Sequence, residues 1–262
     1  MIIGNVTAKL SNVPSLQALF MAGSHGKGTA DAYSDLDFVA VADTENANAL
    51  TGSFKNALED LQPVIYWSAR HGITSLANAV LHDWVRCDLF ITSSDKLTHR
   101  AQDSVTPLFD PSRIYETLPA TLPEATPNPQ RINYIINEFI RVLGLTHVGL
   151  GRGELVMLTK GCAILRDLTC DLLLETCTLP DRGGVLHLKR LLTPDQMAIL
   201  EALPYPGPNR TELIDAVVET SRVFFPLARD MAERAQIDWP EAFQAATLRH
   251  LSDNQNITIS PR

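Results

Sequence analysis

The chain has 262 residues, of which 45% are hydrophobic and 20% charged, and its formal net charge is −8. This length fits one large domain or two of ordinary size, and the composition is typical of a globular protein rather than a disordered one. The acidic balance argues against nucleic acid or an anionic membrane as a partner and favours cationic small molecules. No apolar run approaches the ~20 residues that span a bilayer, and the N-terminus lacks the pattern of a signal peptide. We therefore expect a cytoplasmic protein.

Residues 1–117 alternate strand-like and helix-like segments, a pattern that indicates a mixed α/β domain. Strands are predicted at 16–23, 36–42, 63–69 and 104–111, a hairpin at 75–92 that turns near His82 and Asp83, and a helix at 49–61. The segment 36–42, LDFVAVA, is apolar on both faces and should be central in the sheet. The segment 104–111 should be a short strand at the edge.

Residues 118–129, LPATLPEATPNP, hold four prolines and little apolar periodicity, so they predict an extended linker. Beyond them the strand patterns end, and apolar residues at helical spacing predict a helical domain over 130–262. Two stretches, Thr193–Gln196 and Asp238–Glu241, resemble capping boxes with a proline in the first turn of a helix. The predicted fold class is therefore α+β, with a small mixed sheet flanked by helices and then an all-α helical bundle.

Three aspartates are expected to meet at one point of the sheet. Asp35 and Asp37 are two residues apart at the start of a predicted strand, so their side chains point to the same side. Asp88 lies within another apolar strand, and it would join them if the two strands are neighbours. Three converging carboxylates are unfavourable without a cation, and oxygen ligands of this kind suit Mg²⁺. The pattern predicts a magnesium site, and two ions would clamp a phosphoryl displacement.

A glycine-rich turn precedes the aspartates. Gly23 and Ser24 end a predicted strand, and Lys27 and Gly28 follow within the turn. Glycine lets backbone N–H groups approach phosphate oxygens closely, Ser24 adds a hydroxyl donor, and Lys27 adds a mobile positive charge. Such turns also occur in proteins that bind nothing, but here the turn, the aspartate pair and Asp88 come in an order that favours a metal and nucleotide site.

These residues resemble the signature of the DNA polymerase β-like nucleotidyltransferase superfamily. The resemblance rests on Gly23-Ser24, ten intervening residues, Asp35-Leu36-Asp37 and then Cys87-Asp88-Leu89. Within the superfamily the chain is most similar to the antibiotic nucleotidyltransferases, especially the lincosamide type and more distantly the kanamycin and streptomycin types. Further shared stretches are KG at 27–28, YSD at 33–35 and RGE at 152–154.

The resemblance implies roles for the residues of the first domain. Asp35, Asp37 and Asp88 would hold Mg²⁺, Gly23 and Ser24 would bind the β- and γ-phosphates of a nucleoside triphosphate, and Asp88 would also be the general base. Several relatives have glutamate where this chain has Asp88, and the shorter side chain leaves open whether Asp88 or another group is the base. Residues 1–117 would be the nucleotidyltransferase domain.

The second domain, 130–262, would by the same resemblance shape the acceptor site, which lies between the domains. Arg152 and Lys160 would reach the triphosphate, although both also fit solvated charges on a helix. Glu154 would contact a cationic acceptor or would only cap the helix that follows.

The resulting hypothesis is an Mg²⁺-dependent nucleotidyltransferase that moves a nucleoside monophosphate, AMP from ATP, to a hydroxyl of a small molecule and releases pyrophosphate. A cationic aminoglycoside or lincosamide is the expected acceptor, and relatives that pair suggest a homodimer. Two alternatives stay open: a nucleotidyltransferase with a macromolecular acceptor, and a non-catalytic nucleotide-binding or antitoxin-like module. The missing basic patch counts against nucleic acid as the acceptor, and the intact set of carboxylates counts against a non-catalytic module.

Overall fold

A computed structural model describes residues 1–72, 74–182 and 187–260. The chain divides into two compact units, Met1–Pro123 and Glu124–Arg262. The first unit contains the sheet with its helices, and the described part of the second unit is helical. The α+β fold class is confirmed. Residues 183–186 and 261–262 of the predicted helical domain lie outside the described residues.

The first unit has the following helices and strands. They are α1 (Ile2–Leu10), β1 (Ala18–Met21), α2 (Gly23–Gly26), β2 (Leu36–Val41), α3 (Ala47–Glu59), β3 (Val64–Arg70), β4 (Ser75–Leu81), β5 (Arg86–Thr92), β6 (Thr106–Phe109) and α4 (Ile114–Thr117). The six strands form one sheet in the order β3-β4-β5-β2-β1-β6. The strand β2 pairs in parallel with β5, and the other pairs between adjacent strands are antiparallel. β2 is therefore central and β6 is at an edge, as the sequence predicts.

The two faces of the sheet carry different side chains because successive residues of a strand point to opposite sides. One face is packed under α1 and α3, with Leu10, Phe54, Phe38 and Leu89 fully buried in a single apolar cluster. The residues of β4 alternate between buried and half-buried, and Asn78 is one of the half-buried ones. The opposite face is covered over β1 and β2 by a smaller apolar cluster that includes Phe20. Asp37 belongs to this second face.

The N-terminal helix α1 is absent from the sequence prediction. Its two fully buried side chains, Val6 and Leu10, are four residues apart and give one short apolar stripe. The residue before the helix, Met1, makes no capping hydrogen bond through its side chain. A nine-residue helix with one short apolar stripe and no N-cap residue is hard to predict from sequence. Packing against the sheet, rather than local helix preference, stabilises such a helix.

The described helices of the second unit are α5 (Pro129–Arg152), α6 (Leu155–Leu174), α7 (Leu188–Leu191), α8 (Pro194–Ala202), α9 (Arg210–Arg234) and α10 (Glu241–Gln255). Their core is one cluster with the stacked rings of Phe139 and Phe224 at its centre, 3.6 Å apart. None of the described helices is long and apolar enough to cross a membrane.

One of the two predicted capping boxes is present. Thr193 caps α8, accepting from the N–H of Gln196 while the Gln196 side chain accepts from the N–H of Thr193. The box predicted at Asp238 is wrong, because α10 begins at Glu241 and its cap residue is Pro240. The nearby Trp239 indole donates to Gln244 on α10 at 2.9 Å, and the cap residue makes no capping hydrogen bond through a side chain.

Candidate active site

The strand register brings the three aspartates together. Asp37 on β2 lies directly opposite Asp88 on β5 in the parallel pair, so both side chains point to the same face of the sheet. Asp35 precedes Asp37 by two residues. Carboxylate oxygens of Asp35, Asp37 and Asp88 lie within 4.8 Å of one another. The expectation that the strands of Asp37 and Asp88 are neighbours is thus met.

The turn after β1 is built around Gly23. Its φ is +57°, which favours glycine, and a Cβ at this position would lie 2.0 Å from Oδ2 of Asp37. The N–H of Ala22 donates to the carbonyl of Asp37 at 2.8 Å, which ties the turn to β2. The turn and the aspartates therefore form one site rather than two adjacent ones.

Ser24 has an unusual environment within this turn. Its hydroxyl oxygen is buried, and the described residues provide no hydrogen-bond partner for it. Most buried polar atoms in folded proteins are hydrogen-bonded, so a lone buried hydroxyl at a candidate site indicates a ligand position. Gly28 also has a positive φ, +68°, but its surroundings are open. Lys27 is half-buried at the end of α2.

Burial and the charges of neighbouring carboxylates raise the pKa values of Asp37 and Asp88. Burial is the largest cause for Asp37, followed by the charges of Asp35 and Asp88, and together they raise its pKa to about 6. Burial also raises the pKa of Asp88, while a hydrogen bond from Asn78 acts against this shift. The site therefore has an excess of negative charge that a cation would relieve.

Three residues at the site are missing from the sequence prediction. Asn78 on β4 lies opposite Asp88 and donates to its Oδ1 at 2.8 Å. Arg86 pairs with Asp35, with 2.8 Å between Nη2 and Oδ2. Arg100, in the loop after β5, lowers the pKa of Asp37 through its charge. The sequence could have indicated Arg86, because it lies two residues before Asp88 in the same strand. Asn78 can be identified only from the pairing of β4 with β5.

The second unit contains three other candidate residues from the sequence prediction. Arg152 is exposed at the end of α5, and Lys160 is exposed on α6. Glu154 is the cap residue of α6 but makes no capping hydrogen bond through its side chain. A role for Arg152 and Lys160 in binding the triphosphate stays a prediction.

The residues of the site fit a magnesium ion. All three candidate ligands are carboxylates, which are the hard oxygen donors that Mg²⁺ prefers, and they converge within the span of one or two ions. The Gly23 backbone lies against Asp37, and the buried Ser24 hydroxyl, which has no hydrogen-bond partner among the described residues, belongs to the same turn.

The comparisons with known proteins concern the family of the chain. A family model described as streptomycin adenylyltransferase matches residues 2–253. A search of curated proteins finds no match. Among solved structures, an aminoglycoside 6-adenyltransferase from Bacillus subtilis is similar, with 12% identity, 95% of each chain covered and a TM-score of 0.44. The antibiotic nucleotidyltransferase type predicted from the motifs is confirmed, and the matching family is the streptomycin type rather than the lincosamide type. Because the match spans nearly the whole chain, the protein belongs to the streptomycin adenylyltransferase family and is a nucleotidyltransferase.

Proposed function

We propose that the enzyme transfers AMP from ATP to a hydroxyl group of an aminoglycoside, with Mg²⁺, and releases pyrophosphate. The observation that carries this proposal is the convergence of Asp35, Asp37 and Asp88 on one face of the sheet, in a chain of this family. Since ATP is an intracellular substrate, we expect the enzyme to act in the cytoplasm.

Asp35, Asp37 and Asp88 would hold the metal. When bound, Mg²⁺ would neutralise charge on the triphosphate and lower the pKa of a hydroxyl beside it. Ser24 would donate its hydroxyl to a phosphate oxygen, and the Gly23 backbone would leave room for the phosphate to approach. These assignments are supported by the buried hydroxyl of Ser24 and by the close approach of the Gly23 backbone to Asp37, which puts the turn beside the carboxylates.

The reaction forms one bond and breaks one. The acceptor hydroxyl oxygen attacks the α-phosphorus of ATP, the bond from the α-phosphorus to the bridging oxygen breaks, and pyrophosphate leaves with that electron pair. The hydroxyl proton passes to a base, for which we propose Asp88. Its Oδ1 accepts from Asn78, which orients the carboxylate, and the other oxygen, Oδ2, would take the proton. Catalysis then rests mainly on positioning and electrostatics.

The acceptor class follows from the family and from charge. The family is named for an enzyme of streptomycin, which is a cation, and a chain with a net charge of −8 attracts cations. The same net charge disfavours a nucleic acid acceptor. A lincosamide is the second acceptor class to be tested.

The test is a screen for pyrophosphate release with ATP, Mg²⁺ and single aminoglycosides or lincosamides, with mass spectrometry of the acceptor. We expect an acceptor heavier by one adenylyl group with streptomycin or a related aminoglycoside. The matched control is Asp37→Asn, which should release no pyrophosphate above background. Turnover with lincosamides alone would overturn the aminoglycoside proposal, and equal turnover by Asp37→Asn would overturn the proposed site.

A further inference from the structure

Arg86 is a cationic side chain that pairs directly with one of the three carboxylates, Asp35. Leu36 pairs with Cys87 in the parallel register, so the residues that precede them, Asp35 and Arg86, are neighbours across the two strands. The guanidinium Nη2 lies 2.8 Å from Oδ2 of Asp35. Because Arg86 is two residues before Asp88, the two side chains project from the same face. Arg86 therefore sits where a metal ion would otherwise supply positive charge.

The ion pair between Arg86 and Asp35 is partly exposed to solvent and should break easily. The Arg86 side chain is 46% exposed, whereas that of Asp35 is 26% exposed. Ion pairs with this much exposure typically contribute little to stability. Arginine also has a long flexible stem, so its head can leave Asp35 at a low energetic cost while the strand stays in place.

A metal ion and this ion pair compete for the same carboxylate. Mg²⁺ binds carboxylate oxygens at about 2.1 Å, so an ion on Asp35 would lie within several ångströms of a guanidinium that is 2.8 Å from that carboxylate. Like charges at this distance repel strongly. Triphosphate oxygens, in contrast, suit the planar donors of arginine better than those of lysine.

We propose that Arg86 is a resident countercharge that holds Asp35 in the metal-free enzyme, releases it to the incoming Mg²⁺–nucleotide and then contacts the phosphates. This inference rests on the proposed function, because it requires that the site binds a metal–nucleotide complex. Arg86 acts on Asp35 before binding and on the nucleotide after it, and has no part in the proton transfer.

The experiment compares the wild type with Arg86→Gln in two titrations followed by melting temperature, at pH 8 and constant ionic strength. The first uses Mg²⁺ alone, and the second a non-hydrolysable ATP analogue at saturating Mg²⁺. We expect Arg86→Gln to bind Mg²⁺ alone about three- to tenfold more tightly, because a repelling charge is gone. It should bind the analogue roughly tenfold or more weakly, because charge-assisted hydrogen bonds to phosphate are lost.

Two further variants make the comparison specific. Arg86→Lys keeps the charge and should bind Mg²⁺ as the wild type does, but should bind the analogue with intermediate affinity. Arg113→Gln breaks an exposed ion pair with Glu116 in the same unit and should change neither titration.

The outcomes separate this inference from the proposed function. If the wild type binds the analogue and Arg86→Gln gives the same two affinities, or binds Mg²⁺ alone more weakly, the countercharge role is wrong and the proposed function stands. If the wild type itself shows no Mg²⁺-dependent binding of the analogue, the proposed function fails first.

Discussion

The surroundings of Asp37 disfavour the ionised form of its carboxyl group. Its carboxylate lies within 4.8 Å of those of Asp35 and Asp88, and burial together with these neighbours raises its pKa to about 6. The folded protein thus binds a proton at Asp37 more tightly than the unfolded chain does. Without metal, the contribution of this group to stability is fully present below about pH 4 and is lost as the pH rises through about 6.

We predict that Asp37→Asn melts at a higher temperature than the wild type at pH 8 in the presence of EDTA, because a disfavoured charge is removed. Mg²⁺ should stabilise the wild type but not the variant. We also expect a large fall in kcat/KM. Loss of a residue that only hydrogen-bonds to a metal ligand lowers activity roughly 10- to 100-fold, and loss of Asp37, a proposed ligand, should lower kcat/KM by more than this.

The measurement is a series of melting curves from pH 4 to 8 with and without Mg²⁺. An exposed aspartate of α10 provides the control, since Asp253→Asn should show neither effect. Asp37→Asn that melts lower than the wild type in EDTA at pH 8 would contradict the electrostatic account of the site.

Asn78 acts on the reaction through Asp88. Its amide donates to Oδ1 of Asp88 at 2.8 Å and thereby holds the carboxylate and opposes the rise of its pKa. We predict that Asn78→Ala lowers kcat about 10- to 100-fold and moves the acid limb of the pH–rate profile to higher pH, because the pKa of Asp88 rises further.

Ser68 offers a matched control for Asn78. It lies opposite Asn78 on the neighbouring strand β3, so Ser68→Ala alters the same part of the sheet without touching the hydrogen bond to Asp88. An Asn78→Ala profile whose acid limb coincides with that of Ser68→Ala would show that Asn78 only supports the sheet.

At the scale of elements, the turn after β1 and the strand β2 form one unit of structure. The Gly23 backbone has a positive φ and lies against the Asp37 side chain. We predict that Gly23→Ala destabilises the protein by more than the ~1–2 kcal/mol that a left-handed conformation costs a non-glycine residue, because its Cβ also collides with Asp37. The variant should also lose stabilisation by Mg²⁺.

Gly28 provides a control that separates the cost of a positive φ from the cost of the collision with Asp37. Its φ is positive as well, but a Cβ there meets no atom within 4 Å. Gly28→Ala should therefore have only the conformational cost and keep its response to Mg²⁺ in denaturant titrations. Equal losses in the two variants would mean that the contact with Asp37 is unimportant.

The sequence predicts elements well where the signal is local. The central strand β2 follows from a long apolar run, and Thr193 and Gln196 give the start of α8 because a capping box needs only neighbouring residues. The prediction fails at Asp238, because α10 begins at Glu241 and its cap residue is Pro240 rather than Asp238. It also omits Asn78, because only the pairing of β4 with β5 puts that side chain beside Asp88. The set of Asp35, Asp37 and Asp88 could be predicted, because the spacing of Asp35 and Asp37 puts both side chains on one face of a strand.

At the scale of the whole molecule, the formal net charge of −8 should influence how the acceptor arrives. Opposite charges attract at long range, and salt screens this attraction, with a Debye length of about 8 Å at physiological ionic strength. We predict that KM for a cationic aminoglycoside rises several-fold between about 0.05 and 0.3 M KCl, whereas KM for ATP does not rise in parallel. Steady-state kinetics at constant Mg²⁺ would check this, and a KM for the aminoglycoside that is independent of salt would contradict it.

The parallel pairing of β2 with β5 also has a consequence for how the chain folds. The hairpin of β4 and β5 closes over a few residues, whereas β2 and β5 are separated by the whole of α3, β3 and β4. Contacts between distant parts of a chain form more slowly than local ones, because a longer loop must be closed. We therefore expect Asp88 and Asn78 to meet early and Asp37 to join them only when the long loop closes. The hydrogen-bonded pair of Asn78 and Asp88 would then form before the set of three carboxylates is complete.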